Sequence, residues 1–352
     1  MRVMLAMSGG VDSSVAGALL LEQGHDVVGV TMKLWGGDSD TGCCSVSDVD
    51  DARRVAQQLG IDHLVFNFGD DFDRHVVEPY VTAHATGWTP NPCVECNRHV
   101  KFDRLLRRAD QLGFDAVATG HHARVGRTSS GRFTLERGAD AAKDQSYVVH
   151  MLDQAALART LFPVGDIDKA EVRRLAAERG LRTAAKPDSQ DVCFISSTGG
   201  RERFLGDRIE LRPGRVVDRA GTAVGTVAAV ELVTIGQRRG LGLPGGGPKR
   251  YVVDVDVDAA EVVVGDDGDL FDTGLTVSGV TWTDRLVDGP VRVQCSAHGA
   301  SQPARIAVDD ANPTVVDVRW EQAQRRVAPG QSVVFYDAAD RRVLGGGVAT
   351  RR

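Results

Sequence analysis

Arg2-Val-Met-Leu-Ala-Met-Ser-Gly-Gly-Val-Asp-Ser-Ser14 runs an apolar segment straight into a glycine-and-serine turn, and the fold class follows from how that junction is read. Val3 to Ala6 is too short and apolar for anything but a buried strand, whereas Ser13 to Leu21 carries helical periodicity. The turn therefore joins a first strand to a first helix. Working outward, Val27 to Met32 is a β-branched run, and Asp48 to Leu59 places Ala52, Val55, Ala56 and Leu59 on one helical face. His63 to Phe68 reads as a third strand, Phe102 to Leu112 as a helix, and Ala116 to Thr119 as a fourth strand that stops at Gly120. This alternation predicts an α/β unit with a parallel, doubly wound sheet. Ligands of such sheets sit beyond the carboxyl ends of the strands.

The turn has a chemistry of its own. A glycine-rich link into a helix leaves backbone N–H groups unpaired at the positive end of the helix dipole, which makes a phosphate cradle. It is not a Walker A loop, because that motif needs a lysine and none is near in sequence. Ser8, Ser13 and Ser14 offer hydroxyls, and Asp12 offers an oxygen ligand for Mg2+. The plain alternative is a tight turn with ordinary caps. The string Ser8-Gly-Gly-Val-Asp-Ser13 resembles the PP-loop of the N-type ATP pyrophosphatases, a superfamily that includes GMP and NAD synthetases and several tRNA-modifying enzymes. That resemblance implies ATP cleaved between its α and β phosphates, and leaves the acceptor open.

Beyond Gly214 the character changes to short β-branched runs separated by Gly, Asp and Pro: Arg215 to Asp218, Ala223 to Thr226, Tyr251 to Val257, Glu261 to Val264, Val291 to Val293, Thr314 to Val318 and Ser332 to Phe335. Such spacing predicts barrels or sandwiches. The turn-rich stretch Gly265 to Asp269 divides this half. With 352 residues, two or three domains are expected. The boundaries read as 1–203 for the α/β domain with the cysteines of interest, 204–268 for a small central β domain, and 269–352 for a C-terminal β-barrel.

The formal charge of −6 argues against a uniformly basic coat for nucleic acid, and leaves room for local patches. No leader segment and no membrane span are evident, so a soluble, cytoplasmic protein without a membrane partner is expected. Six cysteines in so long a chain do not form the framework of a small secreted domain. Cys93-Val-Glu-Cys96 precedes a segment of helical pattern, which sets Cys96 near a helix N-terminus between Arg98 and Lys101, where a thiol ionises more readily. A third cysteine lies in Asp188-Ser-Gln-Asp-Val-Cys193-Phe. Three readings compete for Cys93, Cys96 and Cys193: a zinc or iron–sulfur site, a sulfur-handling thiol pair, or buried structural cysteines. Cys43, Cys44 and Cys295 read as structural or incidental.

Seven motifs then fall in order: Met7 to Ser14; Gly42-Cys-Cys-Ser45 with Asp48-Val-Asp-Asp-Ala52; Thr89-Pro-Asn-Pro-Cys-Val-Glu-Cys-Asn97; Ala118-Thr-Gly-His-His-Ala-Arg124; Lys143-Asp-Gln-Ser-Tyr147; Ser189-Gln-Asp-Val-Cys-Phe194; and Thr234-Ile-Gly-Gln-Arg-Arg-Gly-Leu-Gly242. Together they resemble the tRNA-specific 2-thiouridylases, which replace O2 of the wobble uridine with sulfur. The resemblance implies adenylation of O2 by ATP followed by sulfur transfer. It implies that Cys193 carries the persulfide and that Cys96 is its partner thiol, with a Cys96–Cys193 disulfide after each turnover. Alternatively, the terminal sulfur attacks C2 first and Cys96 resolves the adduct.

By the same resemblance Ala6, Met7, Ser8, Gly9, Gly10, Val11, Asp12 and Ser13, with Met32 and Gly120, line the ATP site, and Lys143, Asp144 and Gln145 contact tRNA. Taken by itself, Met32 reads equally as core packing and Lys143 as a solvated charge. His121 and His122 either close the ATP site or are structural. The partners implied are a tRNA with a wobble uridine and a sulfur donor such as a cysteine desulfurase or a persulfide carrier protein. Some members carry Asp in place of Cys93, so that thiol is either auxiliary or part of an iron–sulfur cluster. In the barrel, Val293-Gln-Cys-Ser-Ala-His298 lacks the basic residue expected against RNA, which shifts such contacts toward His298 and Arg305. Candidate RNA-facing clusters are Arg104 to Arg108, Arg201 to Arg215, and Arg238-Arg239 with Lys249-Arg250. Other readings are a different PP-loop adenylating ligase, which would not need Cys96 and Cys193, and a catalytically silent iron–sulfur or tRNA-binding module.

Overall fold

Apolar residues at successive positions of a strand bury it on both faces, and that is how the first domain is built. The computed structural model describes all residues except 35–45, 189–191, 197–198, 246 and 352, and the side chains of Val46, Cys193 and Ser196 also lie outside the description. Cys43 and Cys44 fall in the first of these gaps. Strands β1 (Arg2–Ala6), β2 (Asp26–Lys33), β3 (His63–Asn67), β4 (Ala116–Ala118) and β7 (Thr160–Leu161) form one parallel sheet in the order β3-β2-β1-β4-β7.

Because side chains alternate across a strand, Val3, Leu5 and Met7 face helices α1 (Val11–Glu22), α2 (Val46–Leu59) and 169–178. Met4, Ala6, Val30 and Met32 face the helical stretches 69–85 and 92–111. The doubly wound reading holds.

The segment bearing Cys96 departs from expectation. Its helix begins at Pro92, well before Phe102, with the Asn91 side chain capping it by accepting from Cys93 N (3.1 Å). Asn before Pro is a strong helix start, overlooked because the following residues are polar. Cys96 therefore lies one turn inside the helix, where a π-helical stretch, Cys96–Arg104, begins. Such widened turns recur at functional sites.

The central domain is a four-stranded sheet of β8 (Gly214–Asp218), β9 (Ala223–Val227), β10 (Tyr251–Asp256) and β11 (Glu261–Gly265), in the order β10-β11-β8-β9. The C-terminal barrel runs β12 (Phe271–Trp282), β15 (Asn312–Arg325), β14 (Gln302–Asp309), β13 (Gly289–Gln294), β16 (Ser332–Tyr336) and β17 (Arg342–Ala349), and closes by pairing β12 with β17. A hairpin from the first half, β5 (Ala123–Arg127) and β6 (Phe133–Arg137), pairs through β6 with β17 and extends the barrel's sheet. A shared core follows: Phe102, Leu135, Tyr147 and Val149 pack with Val334, Tyr336 and Val343. Among the described residues, no helix is long and apolar enough to cross a membrane.

Candidate active site

The carboxyl ends of β1, β2 and β4 converge on the turn at Met7 to Asp12. Gly9 adopts φ +69° and its α-carbon faces the backbone of Asp48, so a side chain fits there neither sterically nor conformationally. Gly120 is equally constrained from the other side, since a β-carbon on it would lie 2.6 Å from Ser13 N. The turn is thus pressed between the start of α2 and the end of β4. Helix α1 starts with Gly10 as a cap that makes no side-chain hydrogen bond. Its first N–H groups have no intrahelical acceptor and present an anion site.

The three serines divide their work. Ser13 and Ser14 are buried and donate to Gly10 O (3.2 and 2.8 Å), while Thr183 donates to Ser14 Oγ (2.9 Å). Only Ser8 is exposed at the mouth, with its N–H on Ser13 Oγ (3.3 Å). Ala6, Met7, Val11 and Met32 are buried beneath the turn. Met32 sits in the core layer with Phe68 and Phe72, beside Phe66 of β3 in register.

Asp12 is the centre of the polar network. His122 Nε2 donates to Asp12 Oδ1 (3.1 Å), and Lys169 Nζ donates to both carboxylate oxygens (2.7 Å each). Burial pushes the Asp12 carboxyl up, but the bonds from His122 and Lys169 and the lysine charge outweigh it and hold the carboxyl below its ordinary value. The lysine that the local sequence lacks is supplied from Lys169, 157 positions away.

Lys169 also pairs with Asp188 (2.9 Å), which accepts further from Lys143 Nζ and Arg173 Nη2 (2.8 Å each). Burial raises the Asp188 carboxyl, yet the hydrogen bonds and charges of Lys143 and Lys169 bring it down to about 2. A second cluster flanks the turn, in which Lys186 donates to Asp48 (2.7 Å) and Asp51 (2.8 Å). Lys169, Asp188, Asp48 and Lys186 were not singled out from sequence as site residues. The one local hint was Asp168, a helix cap that accepts from Glu171 N and sets Lys169 at the first helical position.

Of Lys143, Asp144 and Gln145, only the lysine reaches the site mouth. The Asp144 side chain is 7% exposed and accepts from Arg137 Nη1 (2.7 Å), Gly138 N (2.9 Å), Ser146 N (3.1 Å) and Ser146 Oγ (2.8 Å), which fills its oxygens from within the chain. Gln145 Oε1 accepts from His122 N (2.9 Å) and holds that histidine over Asp12. His121 Nδ1 lies 2.7 Å from Thr119 Oγ1, and its ring packs against Phe102 and Phe162.

Cys96 is buried in the same core layer as Phe194, the neighbour of Cys193. Phe194 packs edge-on to Phe72 and Tyr80, with ring centroids 5.6 and 5.5 Å apart. Cys193 opens the short helix Cys193–Ser196, and the expected Cys96–Cys193 pairing lies outside the described side chains. Cys93 is exposed in the first turn of its helix. Cys295 is half-buried, with its thiol pushed up to about 12 by burial, which suits a structural residue. Among the described residues no group of three or more His, Cys, Asp or Glu side chains is placed to hold a metal ion.

Several residues of the candidate basic clusters are paired within the fold. Arg104 pairs with Asp71, Arg107 with Asp103, Arg212 with Glu231 and Arg215 with Glu261. Arg238, Arg239 and Lys249 are exposed on an irregular loop of the central domain.

Residues 1–197 match the family model described as a tRNA methyl transferase HUP domain, residues 202–266 a tRNA methyl transferase PRC-barrel domain, and residues 272–349 an aminomethyltransferase beta-barrel domain. The chain is 46% identical over 375 residues to the tRNA-specific 2-thiouridylase MnmA of Roseiflexus castenholzii, covering 99% of each. It is 47% identical over 361 residues to that of Chloroflexus aggregans, covering 99% of this chain and 98% of the relative. Among solved structures, the U34-tRNA thiolase NcsA of Methanococcus maripaludis with its [4Fe-4S] cluster superposes with a TM-score of 0.37 at 18% identity, over 55% of this chain and 61% of that one. That overlap is too slight to argue from.

Proposed function

The chain belongs to the tRNA-specific 2-thiouridylase family, and from that premise we propose how its residues divide the reaction. The enzyme is an ATP-dependent tRNA sulfurtransferase with a PP-loop domain, and tRNA is its substrate. In the proposed sequence, O2 of the wobble uridine attacks the α-phosphorus of ATP and pyrophosphate leaves. Hydrosulfide or a persulfide sulfur then attacks C2 and AMP departs. Oxygen at C2 is a poor leaving group without that activation.

The observation that carries this reading is the turn at Ser8 to Asp12 with Lys169 over it. Unpaired N–H groups of α1, the exposed Ser8 hydroxyl and the lysine are donors suited to pyrophosphate as its charge grows. Asp12, a part-exposed carboxylate beside the turn, is the residue that would hold a Mg2+ ion, which takes oxygen ligands and commonly binds through one or two carboxylates together with phosphates. The ion's role when bound is to neutralise phosphate charge. Lys169 already donates to both oxygens of Asp12, so holding the ion there would require the lysine to give up the carboxylate.

Sulfur arrives on Cys193 as a persulfide. The Cys96 thiolate attacks the Cys193 Sγ, the S–S bond to the terminal sulfur breaks, and hydrosulfide is freed beside the adenylated base. A Cys96–Cys193 disulfide remains and takes two electrons from an external thiol. The burial of Cys96 in one layer with Phe194 supports this partnership. A cysteine desulfurase or persulfide carrier protein supplies the sulfur. With an iron–sulfur cluster instead, Cys93, Cys96 and Cys193 would be ligands and the purified protein would be coloured. A ligase or methyltransferase reading is weaker, because neither chemistry asks for two cysteine segments beside a PP-loop.

Transfer RNA contacts fall to Lys143 and to the loop with Arg238, Arg239 and Lys249, whose positive charge is exposed in a chain of net charge −6. Binding therefore weakens steeply with salt. The test is a single-turnover reaction with ATP, sulfide and an unmodified tRNA whose anticodon begins with uridine, followed by mass spectrometry of the nucleosides. Wild type yields 2-thiouridine, and Cys193→Ser loses persulfide-driven but retains sulfide-driven product. Pyrophosphate release without a thiolated base would mean that the loop is assigned rightly and the acceptor wrongly.

A further inference from the structure

Asp188 is bound by three cations from two separate parts of the chain: Lys143 from the loop after β6, and Lys169 and Arg173 from consecutive turns of helix 169–178. Arg173 also donates to Ala184 O (2.9 Å) and Lys186 O (3.1 Å), so the whole approach to Asp188 is clamped against that helix. Lys169 in turn holds Asp12 of the PP-loop. Asp188 is thus one lysine removed from the carboxylate at the ATP site.

Five residues further on stands Cys193, and a chain of five residues spans at most about 17 Å. At the far end Phe194 is fixed between Phe72, Tyr80 and Phe204, in the layer that buries Cys96. Asp188 and Phe194, which flank Cys193 in the sequence, are thus each fixed, the first on the ATP side by its three cations and the second on the cysteine side by its ring contacts.

We propose that Asp188 is a positioning residue for sulfur transfer: it moors the Cys193 segment to the ATP loop through Lys169, so that the persulfide is delivered to the base activated there. This rests on the thiolation reading above. A carboxylate that only shaped the ATP site would affect adenylation. One that moors Cys193 affects delivery from the persulfide and matters far less when sulfur comes from solution.

The experiment compares two sulfur sources in single turnover. In one, enzyme is loaded with polysulfide and desalted. In the other, unloaded enzyme receives excess sodium sulfide. Pyrophosphate and 2-thiouridine are measured in both. Asp188→Asn should lose about 100-fold in the persulfide-driven rate, the scale on which small misplacements act. Its sulfide-driven rate and pyrophosphate release should fall by much less, and Asp188→Glu should restore part of the persulfide-driven rate. An equal loss with both sources, a matching loss of pyrophosphate release, or no loss at all overturns the proposal. Should Asp188→Asn fail to fold, Arg173→Met loosens the same clamp and is judged by the same ratio. If wild type makes no 2-thiouridine from either source, the thiolation reading itself fails, and this control separates the two.

Discussion

Gly120 has no room for a methyl group: its β-carbon would lie 2.6 Å from Ser13 N and 2.8 Å from the Asp12 carbonyl carbon, both of them backbone atoms that cannot rotate away. Gly120→Ala should therefore push the PP-loop off its seat and lower tRNA-dependent pyrophosphate release by about 100-fold, while the melting temperature falls only modestly. Pyrophosphate release near the wild-type rate would show that the turn tolerates displacement. At this scale the sequence was informative where function is written locally. The glycines and Asp12 form one string, which reads as a phosphate cradle or a capped tight turn, and its resemblance to the PP-loop favours the first. Lys169 was invisible because nothing in the 157 positions between it and Asp12 signals their meeting. Asp144 illustrates the opposite difficulty. As part of a motif it looks available, yet the fold surrounds it with donors.

Arg137 at the end of β6 shows what the elements depend on. It donates to Asp144 (2.7 Å), Gln294 (2.9 Å) and both the side chain and backbone of Asp340 (2.8 and 3.0 Å), and its guanidinium lies 3.7 Å from the centre of the Tyr336 ring. Arg137→Ala would leave the Asp144 carboxylate buried without its cation, a loss of about 3–5 kcal/mol in pairs of this kind. Urea unfolding should register it, and a change under 1 kcal/mol would mean that water reaches Asp144 readily. Long periodic elements such as α1 and α2 were legible. Pro92 to Glu95 was not, because a helix start followed by polar residues shows no apolar stripe. The hairpin β5–β6 escaped as well: its strands are short, and their partner β17 lies some 200 positions along, as in the pairing of Glu136 with Arg342.

Part of the behaviour of the whole molecule with acid follows from His84 and His150, both buried and lying in different parts of the fold, to which His121, held down to about 3 by burial, adds in the same direction. Burial holds each of the first two imidazoles near a pKa of about 4, against 6.5 in the unfolded chain. Both are neutral in the folded protein, so their full contribution is present above pH 6.5. As pH falls toward 4, the unfolded chain takes up protons that the folded one refuses. Stability should then drain by about 1.4 kcal/mol per pH unit for each histidine. Melting temperatures at pH 7 and pH 5 would reveal this, and a His84→Gln, His150→Gln double variant should flatten the slope.

The seam between β6 and β17 also has a consequence in time. During synthesis the hairpin at residues 123–137 emerges long before β17 at 342–349, and until then Leu135, Tyr147 and Val149 lack their partners Val334, Tyr336 and Val343. Domains usually complete themselves one by one on the ribosome, and the two layers on either side of the parallel sheet contain no barrel residue, but the core around the hairpin waits for the barrel. Leu135, Tyr147 and Val149 thus stay without those partners until residues 334–349 have been made, and the seam is among the last parts of the fold to close.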